Sequence, residues 1–257
     1  MAVAWSGAGA DSPINPPRPL DDALHMQLAM GQLVRMQLPS GLFPYDYDFA
    51  TSASESMSDM AVANMVRQAG VAFALAEYLT AHDSPPLRKT IAAALRAFEV
   101  RSLPVGKGRV QSVLETVGLY NRWQIWTSWR KPLDALGLLY TAQGDGAVVS
   151  ANDSHERVGS GATALALITE LKYRAVTGDD GFAPARARWL RGLFALHVPG
   201  RGFREAPHHL TESPYVNGQA WLALAEYARA FPRDQIVAEL LAEIDDYMIG
   251  RYGATPT

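Results

Sequence analysis

The feature that most constrains the fold is a run of small and apolar residues that recurs along the chain. Residues 73–78 read FALAEY and residues 222–227 read LALAEY, so only the first position differs. Residues 161–167 (GATALAL) are similar to residues 218–224 (GQAWLAL). Helices of this composition are apolar around much of their circumference, which favours burial on more than one side. The repeat therefore predicts three related inner helices.

A second similarity lies just before two of these helices. Residues 39–43 (PSGLF) and residues 199–203 (PGRGF) each follow a predicted helix and lead into a polar loop that contains carboxylates. The helices predicted after the inner ones are more polar, such as the arginine-rich residues 184–193, and suit an outer layer. This alternation predicts an all-α fold, a curved or closed array of α-hairpins. A plain helical bundle with coincidental Ala/Leu similarity is the alternative.

Periodicity and helix-breaking residues place the remaining elements. Predicted helices span residues 20–37, 59–80, 87–101, 110–120, 133–142, 161–177, 182–197, 214–231 and 233–249. The longest predicted loops are polar and span residues 41–58, 143–160 and 203–213. Residues 1–19, whose second half is rich in proline, are predicted to be a flexible N-terminal lead-in, and residues 20–257 a single helical-hairpin domain.

Composition excludes several classes of protein. The net charge of −3 arises from 23 basic and 26 acidic residues and gives no electrostatic basis for nucleic-acid binding. No run of about 18 apolar residues occurs, so the sequence predicts no membrane span. The chain has no cysteine, which excludes disulfides and thiolate metal sites. Nothing in the sequence indicates a cofactor or a metal, and the oligomeric state is left open.

The first ten residues bear on localisation. They read MAVAWSGAGA, and Ala8-Gly9-Ala10 resembles the small-residue end of a signal peptide, although a basic start and a full apolar stretch are missing. This interpretation favours the periplasm or secretion. A flexible chain end is the alternative interpretation.

Three segments resemble the (α/α) toroid group of carbohydrate-active proteins, that is, the six-hairpin glycosidase-like superfamily and related lyases. They are residues 200–203 (GRGF), 215–227 (YVNGQAWLALAEY) and 64–78 (NMVRQAGVAFALAEY). In that group a Gly-x-Phe segment often precedes an inner helix of this type. The resemblance covers about residues 41–101 and 159–250, and it implies a toroid fold and a carbohydrate substrate. Because the chain is shorter than a complete six-hairpin ring, the resemblance implies an incomplete or small (α/α) toroid, and catalytic residues do not transfer one to one.

The hairpin array predicts where the chemistry lies. Loops that lead from outer to inner helices emerge on one face, together with the N-termini of the inner helices. The unpaired N–H groups and positive dipole ends there favour carboxylates, anions and hydroxyl-rich ligands. The loops concerned are residues 41–59, 143–160 and 201–214, which are rich in polar and aromatic residues and in histidine.

Carboxylates in these loops are candidate catalytic residues of a glycoside hydrolase, which needs one as acid and one as base or nucleophile. The candidate pairing is Glu55 or Asp59 opposite Glu205 or Glu212. The candidate substrate-binding residues are aromatic or charged: Tyr45, Asp46, Asp48, Arg67, Arg204, His208 and Tyr215. Asp59 also fits a simple helix-start residue. Arg67, in an otherwise apolar helix, also fits a structural ion pair with Asp46 or Glu55.

Two other functions stay open on the sequence alone. A polysaccharide lyase acting on a uronate polymer needs a cation to neutralise the sugar carboxylate and a Tyr or His to move protons. The residues that resemble this set are Arg67, Arg204, His208, Tyr215 and Asn217. The acidic residues 46–59 would repel such a polymer. The third possibility is a non-catalytic glycan- or protein-binding array, whose surface would use tryptophans that otherwise fill a core: Trp123, Trp126 and Trp129.

Overall fold

Helices account for most of the chain that the structure describes. The structure is a computed structural model and describes residues 21–44, 47–48, 53–54, 64–117, 136, 138, 140–151, 159–207 and 213–253. The helices are α1 (Asp22–Met36), α2 (Met65–Ala81), α3 (Pro85–Val100), α4 (Arg109–Thr116), α5 (Ser160–Thr177), α6 (Ala183–Leu196), α7 (Pro214–Ala230) and α8 (Gln235–Tyr252). The strands are β1 (Tyr47–Asp48), β2 (Ala53–Ser54), β3 (Ser102–Lys107) and β4 (Tyr140–Val149). The predicted predominance of helix is confirmed.

Helix α5 lies at the centre of the fold. Every residue from Ser160 to Tyr173 is buried, because α2 and α7 pack against it and α3, α6 and β4 also contact it. Small side chains along the helix, such as Ala162 and Ala166, allow this close approach. Helix α3 packs against α2, α8 packs against α7, and α1 contacts α2 and α3. Helices α2, α5 and α7 thus form an inner layer, against which α3, α6 and α8 pack.

A buried lysine joins the three inner helices near their C-terminal ends. The ammonium nitrogen of Lys172, on α5, lies 2.8 Å from Glu77 Oε1 on α2 and 3.5 Å from Glu226 Oε1 on α7. Glu77 and Glu226 occupy the same position in the repeated FALAEY and LALAEY runs. The ion pairs therefore place equivalent levels of the three helices side by side.

At their N-terminal ends the three inner helices also lie side by side, with α5 between α2 and α7. A side chain added at Gly159, just before α5, would contact Val66 of α2, and one added at Gly161 would contact Val216 of α7. The N-termini of α2, α5 and α7 thus lie beside one another. The three inner helices are parallel and in register, so the segments that precede them meet at one end of the molecule.

Strand β4 overturns two predictions from sequence. A helix is expected over residues 133–142 and a loop over residues 143–160, whereas residues 140–149 form a strand that pairs antiparallel with β3. Helix α6 covers this pair and helps to bury Tyr140 and Val148. Pairing with a distant segment decides the structure here, and local propensity cannot reveal such pairing. The all-α class is therefore corrected to a mostly helical fold with this strand pair and the short antiparallel pair of β1 and β2.

The crossing of α6 over β4 depends on a glycine. A Cβ at Gly192 would overlap the carbonyl oxygen of Ala147, which is itself fully buried. We expect Gly192→Ala to destabilise the fold by about 1–3 kcal/mol, although alanine is the better helix former by about 1 kcal/mol. Urea unfolding followed by circular dichroism measures the change. Gly250→Ala is the control, because a Cβ there meets nothing within 4 Å. Equal responses of the two variants would contradict the close approach.

An ion-pair network lies towards the C-terminal end of the inner helices. Arg186 of α6 donates from Nη1 to Glu170 Oε1 of α5 at 2.6 Å, and its Nη2 lies 2.8 Å from Asp180 Oδ1. Glu170 is fully buried, and its Oε2 has no hydrogen-bond partner among the residues that the structure describes. Burial raises the pKa of Glu170 to about 7, against the opposing effect of Arg186. The guanidinium carbons of Arg174 and Arg186 lie 5.0 and 4.9 Å from the ring centre of Phe231.

Glu170 should make stability depend on pH in an unusual direction. Its pKa is higher in the folded protein than the ordinary value of 4.5, so the folded state binds more protons than the unfolded chain between pH 4.5 and 7. The free energy of unfolding should therefore lose about 3 kcal/mol of this contribution as pH rises through that window. Glu170→Gln removes the contribution. Urea unfolding of both proteins across the window measures it, and a constant difference between them would contradict the assignment.

Candidate functional site

The shared N-terminal end of α2, α5 and α7 is the candidate functional site. Here each inner helix binds the backbone of the segment before it through a buried polar side chain at its fourth residue. The three pairs are Gln68 with Phe43, Thr163 with Val149, and Asn217 with Phe203. In each pair the backbone N–H donates to the side-chain oxygen, at 2.8, 2.9 and 2.6 Å respectively. These bonds fix how three segments approach one end of the fold.

These anchors also set the alignment of the internal repeat. Gln68 and Asn217 are equivalent when residues 73–78 are aligned with residues 222–227, so their shared role confirms that alignment. By the same role, Thr163 of the central helix is equivalent to Asn217. The alignment of GATALAL with GQAWLAL instead pairs Thr163 with Ala220, three residues further along. That second alignment is wrong, because Ala/Leu similarity tolerates several registers, whereas the polar anchor has one position in each helix.

Two equivalent turns lead into this end. Residues 38–42 and 198–202 share one pattern of backbone hydrogen bonds. In both turns the N–H of the first residue donates to the carbonyl of the fifth, and the N–H of the fourth residue donates to the carbonyl of the first. Each turn has one glycine with positive φ, Gly41 at 82° as the fourth residue of the first turn and Gly200 at 67° as the third residue of the second, a conformation that costs glycine little. The PSGLF and PGRGF similarity is thus a repeated turn that delivers a buried phenylalanine to its anchor.

Glu205 has a fixed backbone and an exposed side chain at this end. Ser160, the first residue of α5, donates its N–H to the Glu205 carbonyl at 3.0 Å and its hydroxyl to the Arg204 carbonyl at 2.7 Å. The N–H of Arg204 donates to the Leu196 carbonyl at 3.1 Å. Arg204 and Ala206 are buried, whereas Glu205 between them is exposed. The segment thus holds a carboxylate beside the N-terminus of the central helix.

The other predicted site residues are only partly brought together. Arg67, third in α2, and Tyr215, second in α7, are exposed at the same end as Glu205. Asp48 lies in β1, where its backbone is paired with Ala53. The remaining predicted site residues fall outside the described part of the chain: Tyr45, Asp46, Glu55, Asp59, His208 and Glu212. The same is true of Trp123, Trp126 and Trp129.

Two residues that the sequence offers as substrate-binding groups are buried instead. Arg204 is 3% exposed, and its guanidinium carbon lies 4.6 Å from the ring centre of Tyr140. Asn217 is fully buried, where it accepts the Phe203 N–H and donates to the Tyr252 hydroxyl at 3.3 Å. Both side chains hold the fold together and do not face solvent. Two of the residues on which the lyase hypothesis depends, Arg204 and Asn217, are therefore not exposed to a substrate.

Sequence reasoning missed His197, which ends α6 beside the site. It is 4% exposed and packs against Phe203, with ring centres 5.6 Å apart. Burial lowers the pKa of His197 to about 3, and the positive charge of Lys107 adds to the effect. Glu243 Oε1 lies 3.6 Å from His197 Nε2, too far for a hydrogen bond, and does not reverse the shift. His197 is therefore neutral near pH 7 and is unsuited to acid–base chemistry.

The role of His197 is structural and is repeated in the other turn. Its ring hydrogen-bonds to the backbone of Arg201, the fourth residue of the second turn. Gln37, at the equivalent position before the first turn, donates from Nε2 to the Gly41 carbonyl at 2.9 Å. The sequence signal that could have revealed this role is the position of both residues directly before the repeated turn.

Comparison with known proteins gives no family assignment. No protein-family model matches the chain, and no curated protein or solved structure matches it significantly. Within the described ranges, no group of three or more His, Asp or Glu side chains is placed to hold a metal ion. Each described helix is too short or too polar to cross a membrane.

Proposed function

We propose that the chain is a carbohydrate-active protein of the glycoside hydrolase type. It binds a poly- or oligosaccharide at the shared N-terminal end of α2, α5 and α7 and cleaves it with a pair of carboxylates, one of which is Glu205. The observation that carries the proposal is the contrast between the backbone of Glu205, fixed by Ser160, and its exposed side chain. A catalytic group needs such fixing, because a misplacement of about 1 Å can cost about 100-fold in rate.

The second carboxylate of the proposed pair comes from a neighbouring segment. Glu55 and Asp59 precede α2, and Glu212 precedes α7. The starts of these helices lie beside the start of α5. Glu55 is the first partner to test, since Asp59 also fits a helix-start residue. Carboxyl groups about 5 Å apart would retain the anomeric configuration, and groups about 6.5–9.5 Å apart would invert it.

The architecture that we propose around this site is an incomplete or small (α/α) toroid. Its support is the parallel inner layer of α2, α5 and α7, with α3, α6 and α8 packed against it. A saccharide at this end would lie near the positive dipole ends of the three inner helices, which favour the oxygen atoms of hydroxyl groups. Tyr215 and Arg67 are exposed residues at the same end, and an aromatic ring and a guanidinium are the chemical types that suit sugar stacking and hydroxyl binding.

Degradation of a panel of neutral and acidic polysaccharides tests the proposed function. A hydrolase releases reducing ends without new ultraviolet absorbance, whereas a lyase acting on a uronate polymer also forms an unsaturated, absorbing product. We expect reducing ends alone. Absorbing products would contradict hydrolysis in favour of the lyase, and retention on an immobilised glycan without cleavage would favour a binding array.

A further inference from the structure

We infer that Ser160 is a positioning residue for the proposed reaction, because it sets where Glu205 presents its carboxylate. This inference rests on the proposed function and deepens it. Ser160 is fully buried, so it has no access to a substrate and acts through the segment that it holds.

The geometry joins one residue to two consecutive carbonyls. The Ser160 hydroxyl oxygen lies 2.7 Å from the Arg204 carbonyl oxygen and 3.3 Å from that of Glu205, and the Ser160 N–H donates to the Glu205 carbonyl at 3.0 Å. The anchors at Phe203 N–H and Arg204 N–H act earlier in the segment. The bonds from Ser160 therefore act on the Arg204–Glu205 peptide and on the Glu205 carbonyl itself.

Ser160→Ala removes one of these restraints and leaves the other. The N–H bond to the Glu205 carbonyl remains, whereas the buried Arg204 carbonyl loses the hydroxyl donor and the peptide gains freedom to rotate. We expect kcat to fall about 10- to 100-fold, with KM within about twofold of wild type. Ser160→Thr keeps the hydroxyl and should recover most of the lost kcat.

Thr169→Val is a matched control in the same helix. Thr169 is also fully buried, and its hydroxyl donates to the Leu165 carbonyl at 2.7 Å, nine residues beyond Ser160. The Thr169→Val substitution removes one buried hydrogen bond of a hydroxyl group and leaves the contacts of the segment that carries Glu205 unchanged. We expect its kcat within about twofold of wild type. A loss as large as that of Ser160→Ala, with equal folded fractions by circular dichroism, would overturn a positioning role.

A double-mutant cycle gives a readout that a purely structural role would not move. With Glu205→Gln in place, Ser160→Ala should change the residual rate less than about twofold, because the group that it positions is gone. If Ser160→Ala lowers kcat by the same factor in the Glu205→Gln variant as in the wild type, the inference is overturned. An inactive wild type, or a fully active Glu205→Gln variant, would overturn the proposed function together with this inference. A strongly impaired Glu205→Gln variant beside a fully active Ser160→Ala variant would overturn this inference alone.

Discussion

Arg186→Met is expected to destabilise the protein by about 3–5 kcal/mol at a pH where Glu170 is ionised. Removal of the guanidinium takes away the bond to Glu170 Oε1 and leaves the carboxylate fully buried. It also removes the ion pair with Asp180 and the contact over the ring of Phe231. Methionine keeps much of the side-chain length, so the loss reports mainly the uncompensated charge, or the cost of protonating Glu170 once the pKa-lowering effect of Arg186 is gone, and not a cavity.

Urea unfolding at about pH 8 and about pH 5 measures this effect and its cause. At the lower pH Glu170 is protonated, because burial raises its pKa to about 7, and the loss should be smaller. The double variant Glu170→Gln/Arg186→Met should recover much of the lost stability, since no charge is left buried. Arg188→Met, in the same helix but only partly buried, should change stability by about 0.5 kcal/mol or less. A double variant no more stable than Arg186→Met would contradict the buried-charge explanation.

The sequence predicts the inner helices well because small residues recur in them, but it cannot show what their charged residues meet. Glu170 and Lys172 lie two positions apart in α5, and charged residues of this kind are usually exposed to solvent. Both are buried in the folded protein. Glu170 forms an ion pair with Arg186 of α6, and Lys172 forms ion pairs with Glu77 and Glu226. Each partner lies on another helix, so a single-sequence pattern carries no signal of it. The prediction of helix and loop for residues 140–149 is wrong for the same reason, since pairing with β3 and packing against α6 decide that these residues form strand β4.

The layout of the inner helices is predicted better than the roles of the residues at their starts. The repeat predicts three related inner helices, and the starts of these helices lie together at one end of the molecule. Asn217 is polar and lies at that end, which suggests substrate binding, yet its amide anchors a backbone N–H. Ser160 attracts no attention in the sequence, because a serine at a helix start is ordinary. Its role depends on two carbonyls more than forty residues later, which only the folded chain brings to it.

Glu205→Gln is expected to lower kcat on the cleaved glycan by about 100- to 10,000-fold, the range that one acid–base or nucleophilic carboxylate contributes. Glutamine keeps the shape of an exposed side chain, so stability should change by about 0.5 kcal/mol or less. The loss then reports the missing carboxylate and not the fold. Initial rates of reducing-end release, with the folded fraction checked by circular dichroism, measure it.

The matched control for this prediction is Glu239→Gln, which removes another exposed carboxylate, on helix α8. Helix α8 ends beside the start of α7, where the Tyr252 hydroxyl meets Asn217, so Glu239, near the start of α8, lies away from the candidate site. We expect its kcat within about twofold of wild type. Equal losses in the two variants would point to a general charge effect. Full activity of Glu205→Gln would remove Glu205 from the pair, and the search for the catalytic carboxylates would then move to the segments before α2 and α7.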